Sequence, residues 1–136
     1  MNSEQFALLR IPSYGRMQMI PLTEKDVSER MLAGLLETDV TERMRVPAVP
    51  DSFPPDAVLC YFIDARGGER ELPVNFIGTC FYHTGCPIYG DLILAICAQD
   101  SDLAAISGFT AEQYQTLADW LTEQFGSYLD RPENLS

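Results

Sequence analysis

Apolar and polar positions divide the chain into short extended runs set between two helical stretches. Phe6 to Ile11 is an apolar run closed by Pro12 and a Ser13-Tyr14-Gly15 turn signal, which predicts a first strand. Arg16 to Pro21 alternates Met17, Met19 and Pro21 against Arg16, Gln18 and Ile20, and predicts a second short strand pairing back on the first. Thr23 and Asp26 have capping-box spacing, and Val27, Met31, Leu32, Leu35 and Leu36 recur at helical intervals, so a helix is expected over 24–37. Thr38 to Asp56 is polar and holds Pro47, Pro50, Pro54 and Pro55. It reads as a loop with room for one short strand near Arg43 to Val46.

The second half has the same grain. Val58 to Asp64 is rich in β-formers, Arg66 to Glu69 is a turn, and Arg70 to Asn75 resumes in extended form, which together predict a hairpin. Ile77 to Tyr82 and Ile88 to Cys97 are the next apolar runs. The latter is apolar on both faces from Leu92 onward and is expected at the centre of a sheet, with Gly90 marking a bulge or a close backbone approach. Thr110 with Gln113 is a second capping box. Tyr114, Leu117, Ala118, Leu121 and Phe125 then form an apolar stripe ending at Gly126, read as the glycine just past the helix. Strands clustered between an early and a late helix predict an α+β fold, a largely antiparallel sheet with both helices packed on one face. A single domain over 1–128 and a flexible tail over 129–136 complete the expected organisation.

Composition narrows the class without naming a function. The chain has 136 residues and is 46% hydrophobic, enough to bury a core without disulfides or a structural metal. No apolar stretch approaches membrane-spanning length and the N-terminus lacks a signal-peptide pattern, so a cytoplasmic protein with no membrane partner is expected. Net charge is −11, and its distribution is uneven: residues 1–70 hold 11 acids and 8 bases, residues 71–136 hold 9 acids with Arg131 as their one base. A half so poor in cations has little to offer phosphates, which disfavours direct nucleic-acid binding and favours a protein partner with a basic surface. Glu112, Asp119 and Glu123 fall on the polar side of the final helix, with Trp120 at the flank of its apolar stripe as a candidate anchor.

One segment looks chemical. Cys80, His83 and Cys86 have spacing that could supply three soft ligands to zinc, or a thiol–imidazole pair, with Cys60 or Cys97 as a further ligand. Against this, the two cysteines stand six apart rather than in a tight knuckle, and Cys60 and Cys97 lie in apolar runs where thiols behave as small hydrophobes. Asp64, Asp91, Asp100 and Asp102 fall near expected strand ends, but nothing in their spacing forces them together.

Taken in order, Val58 to Asp64, the Leu72-Pro73-Val74-Asn75 segment, the Ile88-Tyr89-Gly90-Asp91 strand and the Thr110-Ala111-Glu112-Gln113 helix start resemble a small bacterial domain-of-unknown-function family. That family is frequent on plasmids, phages and conjugative elements of gut bacteria. The similarity spans most of residues 5–126, departing at Phe109, where the family more often has Leu, and in the proline-rich stretch from Pro47 to Pro55. The resemblance implies a mobile-element accessory protein, carries no established activity, and singles out Asn75 and Asp91. The expectation is therefore a non-enzymatic acidic binding module without cofactor, monomeric or homodimeric. A zinc or thiol enzyme built on Cys80, His83 and Cys86 and an acidic antirestriction or CRISPR-inhibitor protein are its alternatives.

Overall fold

The computed structural model describes residues 5–14, 16–46, 49–50, 53, 57–81, 86–97 and 105–129. Three strands form the middle of the sheet: β1 (Phe6–Ile11), β5 (Val58–Asp64) and β6 (Leu92–Cys97). Their residues alternate between two apolar surfaces. Leu9, Ile11, Leu59, Tyr61, Ile63, Leu92 and Leu94 point to one core, while Leu8, Cys60, Phe62, Ile93, Ala95 and Cys97 point to the other. A sheet apolar on both sides must be covered on both sides. The antiparallel order is β2-β1-β6-β5-β4, with β2 (Gln18–Leu22) and β4 (Thr41–Arg45) flanking the central strands. β3 (Asp26–Val27) pairs with β7 (Ile106–Ser107), which in turn pairs with β6, and β8 (Phe109–Thr110) pairs with β1.

The α+β class with an antiparallel sheet and a C-terminal helix is what the sequence pattern predicts. The arrangement of the helices differs. α3 (Ala111–Leu129) lays Leu117 and Leu121 on the first core, whereas α1 (Glu29–Leu35) lays Leu32 on the second, so the two helices lie on opposite faces rather than one. The unbroken apolar run from Val58 to Ile63 carries the reason: both of its sides need cover.

Local chemistry explains the other departures. α1 starts later than expected because Val27 is buried as a strand residue opposite Ile106, and Ser28 caps the helix in place of Thr23, its hydroxyl accepting from the Met31 N–H at 3.1 Å. The stretch after β5 does not return as a hairpin arm. Both edges of β5 are taken by β4 and β6, and Val74 makes only a lone bridge to Tyr89. The apolar run from Ile77 begins within a short helix, α2 (Phe76–Phe81), not an extended segment. At the end of α3, Gly126 does not stop the helix. The axis kinks at Phe125 (φ −127°, ψ 17°) and runs on to Leu129. Of residues 129–136, expected as tail, Leu129 is the last residue of α3, and 130–136 lie outside the described residues, as do Asp100 and Asp102.

Candidate functional site

The most elaborate polar arrangement is built around the C-terminal end of α1. Helix ends leave carbonyls without intrahelical donors, and cations near a C-terminus also complement the helix dipole. The last turn of α1 holds no basic residue. Arginines from elsewhere fill the role: Arg10 of β1 donates from Nη2 to the Leu35 carbonyl at 2.9 Å, and Arg70, from the turn after β5, donates to the Glu37 carbonyl at 3.1 Å. Each arginine is also held by a carboxylate. Arg10 Nε meets Asp91 at 3.1 Å, and Arg70 pairs with Asp64.

The two carboxylates are themselves fixed by the backbone around them. Asp64, at the end of β5 and 4% exposed, accepts from the Thr38 hydroxyl at 2.9 Å and the Arg66 N–H at 2.8 Å as well as from Arg70. Asp91 accepts from the Ser13 N–H at 3.1 Å. The chain reverses at both sides of this junction through the same pair of bonds. Glu37 N–H donates to the Gly34 carbonyl and Thr38 N–H to Ala33; Glu71 N–H donates to Gly68 and Leu72 N–H to Gly67. Both reversals put a glutamate where glycine is usual, with φ of 56° at Glu37 and 57° at Glu71. Between them opens a cleft of about 350 Å3 rimmed by Tyr14, Leu72 and Pro73.

What the cleft can do chemically is limited by these commitments. Both arginines and both aspartates are engaged with one another or with backbone, and the Ser13 hydroxyl donates to the Pro73 carbonyl rather than to a base. No nucleophile–base pair stands in it among the described residues. Its groups brace α1 against β1, β5 and the 65–71 turn.

Asn75 and Asp91, expected as candidate site residues, therefore have structural work in this fold. Asn75 is 1% exposed and satisfies its whole amide: Nδ2 donates to the Ile11 and Gly90 carbonyls at 2.9 and 3.0 Å, and Oδ1 accepts from the Gly78 N–H at 3.0 Å, which caps α2. Gly90, expected to mark a close approach, has φ +84°, and a Cβ there would sit 2.9 Å from Leu72 Cδ1. Sequence reasoning missed Arg10, Asp64 and Arg70 as a group, because their partners are distant along the chain.

The acidic face of α3 is a different kind of surface. Thr110 and Gln113 close the reciprocal capping box, at 3.0 and 3.1 Å, and set the helix phase. With Leu117 and Leu121 inward, Glu112, Asp119 and Glu123 are exposed, and Gln115 donates to Asp119 at 2.9 Å. Neither ion pair found among the described residues involves α3, and residues 105–129 contain no lysine, arginine or histidine. Trp120 is half-buried against the first core, as are Tyr114 and Phe125, at the edge of the acidic face rather than in its middle.

The Cys80, His83 and Cys86 segment is only partly in view. Cys80 is half-buried on α2 and Cys86 is exposed; His83 lies outside the described residues. No group of three or more metal-ligating side chains occurs among the described residues, where no helix is long and apolar enough to cross a membrane. No family model, curated protein or solved structure matches the chain.

Proposed function

We propose that this protein is a non-enzymatic acidic binding module that engages a partner with a basic surface through the outward face of α3. The observation that supports the reading is the placement of Glu112, Asp119 and Glu123 on the exposed side of a 19-residue helix that carries no cation of its own. Such a face attracts a cationic partner over a Debye length and orients it before contact, with Trp120 at the rim as the adjoining apolar element. The α1 cleft supports the same reading from the other side, because its charges are spent on holding the fold. The family resemblance suggests the setting, an accessory protein of a mobile element.

The test is a salt-dependent pull-down from host lysate with the intact protein and with Glu112→Gln/Asp119→Asn/Glu123→Gln. The expected result is a partner held at low salt by the parent, shed as salt rises, and captured about tenfold more slowly by the triple variant. Equal capture by both proteins at every salt concentration removes α3 from the interface. Recovery of no partner at low salt overturns the binding reading as a whole.

A further inference from the structure

The sheet face beneath α1 holds two cysteines that nothing above uses. In the β5–β6 register Cys60 stands opposite Ala95, and Val58 stands opposite Cys97, so the two thiols are diagonal neighbours on one face. They hydrogen-bond to each other, and both are buried, 4% and 3% exposed. Cations lie alongside: Arg45 is directly across from Cys60 on β4, and Arg43, next on that face, reaches the Cys97 sulfur. The pair therefore shares protons unequally. Cys60 is pushed up by its bond to Cys97 and by burial, which keeps it the protonated donor. Cys97 is lowered to about 7, first by the bond from Cys60 and then by Arg43, against burial and the nearby Glu29 carboxylate.

A thiolate beside a thiol, flanked by guanidinium groups, is the arrangement that favours two-electron oxidation. We infer that Cys60 and Cys97 form a cross-strand redox site that hydrogen peroxide converts reversibly to a disulfide. The Cys97 thiolate attacks one peroxide oxygen; an S–O bond forms, the O–O bond breaks, and the second oxygen leaves as water after protonation. The Cys60 sulfur then attacks the resulting sulfenic sulfur. The S–S bond forms and the hydroxyl leaves as a second water with the Cys60 proton, so hydrogen peroxide is reduced to two waters as two thiols are oxidised. A dithiol reductant returns both cysteines to thiols by exchange and leaves as its own disulfide.

Geometry assigns this bond to the labile kind. Diagonal neighbours across antiparallel strands have Cα atoms about 7–8 Å apart, whereas a relaxed disulfide wants about 4.4–6.8 Å. Closing it shears β5 against β6 under α1, and the strain returns as ease of reduction. Leu32 of α1 packs in the same cluster as both cysteines, so opening of that short helix governs access.

The experiment uses the full chain carrying Cys80→Ser and Cys86→Ser, which removes the half-buried and exposed thiols. After hydrogen peroxide, the protein is denatured, alkylated and weighed. The expected product is lighter by two hydrogens, refuses alkylation at both cysteines, yields a Cys60–Cys97 linked peptide and is restored by dithiothreitol. Its formation rate rises with pH to half-maximum near about 7. Cys60→Ser, which keeps a hydroxyl donor to Cys97 but no resolving thiol, leaves a sulfenic acid at Cys97 that dimedone traps, and Cys97→Ser leaves none at Cys60. Should the serine background unfold, peptide mapping of the unmodified chain reads the same linkage. Full alkylation of both cysteines after peroxide, or a linkage formed only in denaturant, overturns the proposal.

Discussion

α1 and α3 cover opposite faces of one sheet but are secured by different means. The start of α3 is closed within four residues, Thr110 and Gln113 exchanging side-chain and backbone bonds. The end of α1 turns on local backbone bonds from Glu37 and Thr38 but is braced from far away: Arg10 lies 25 residues from Leu35 and Arg70 lies 33 residues from Glu37. A local cap needs no other part of the chain to close it. A helix braced by distant arginines gains that brace only when the sheet is assembled, and this share of its stability belongs to the tertiary structure.

The largest break in this comparison comes from Arg70→Ala. It removes a donor to the α1 terminus and leaves buried Asp64 with the Thr38 hydroxyl and the Arg66 N–H alone. Because Asp64 keeps two donors and Arg70 is partly exposed, the loss should be about 2 kcal/mol, below the full cost of orphaning a buried charge. Urea unfolding measures it. Amide exchange should quicken first in α1, with the interior of α3 still following global unfolding. Uniform quickening of both helices would show that the arginine does not act on α1 in particular.

Thr110→Ala is the matched change at the other helix. It deletes one cap hydroxyl whose partner, the Gln113 N–H, lies near the surface, and should cost about 1 kcal/mol by the same measurement. The ratio of the two losses is what the comparison predicts: the distant brace outweighs the local cap because it joins a buried carboxylate, a helix end and a turn at one point.

The same contrast explains what could be read from the sequence. The Thr110 box, the α3 stripe and the strands from Phe6 and Val58 were legible because each signal spans a few residues. Gly90 was legible too, since a glycine before a buried strand signals a close approach. The helix start at Ser28 was not, because Thr23 and Asp26 offer an equally good capping pattern and only the pairing of Val27 with Ile106 decides between them. Likewise Asn75 is an ordinary turn residue until Ile11 and Gly90 come within reach of its amide. The Arg10, Asp64, Arg70 and Asp91 junction has no local signature at all, since Arg10 and Asp91 alone are 81 positions apart.

The two glutamates at left-handed positions sharpen the picture in the stabilising direction. Glycine adopts φ near 56° without steric penalty, whereas a side chain there crowds its own backbone. Glu37→Gly keeps the backbone bonds that end α1 and should raise stability by about 0.5 kcal/mol, after allowance for the greater freedom of glycine in the unfolded chain. Glu71→Gly should do the same at the second reversal. A loss at either position, seen as an earlier thermal midpoint, would mean that the glutamate side chain makes a favourable contact worth more than the strain.

The smallest expected effect separates binding from stability on α3. Glu112 sits in the first turn, where a carboxylate favours the helix dipole, so its neutralisation should cost a few tenths of a kcal/mol (about 0.3). Asp119 and Glu123 lie further toward the negative end of the dipole, and removing their charge relieves repulsion across a face that has no cations. Glu112→Gln/Asp119→Asn/Glu123→Gln should therefore unfold within about 0.5 kcal/mol of the parent. If it does, any loss of partner capture by the triple variant comes from the missing field and not from a loosened helix. A drop of several times that size would place these carboxylates in the fold itself, alongside Asp64 and Asp91, and take away the contrast between a braced face and a presenting one.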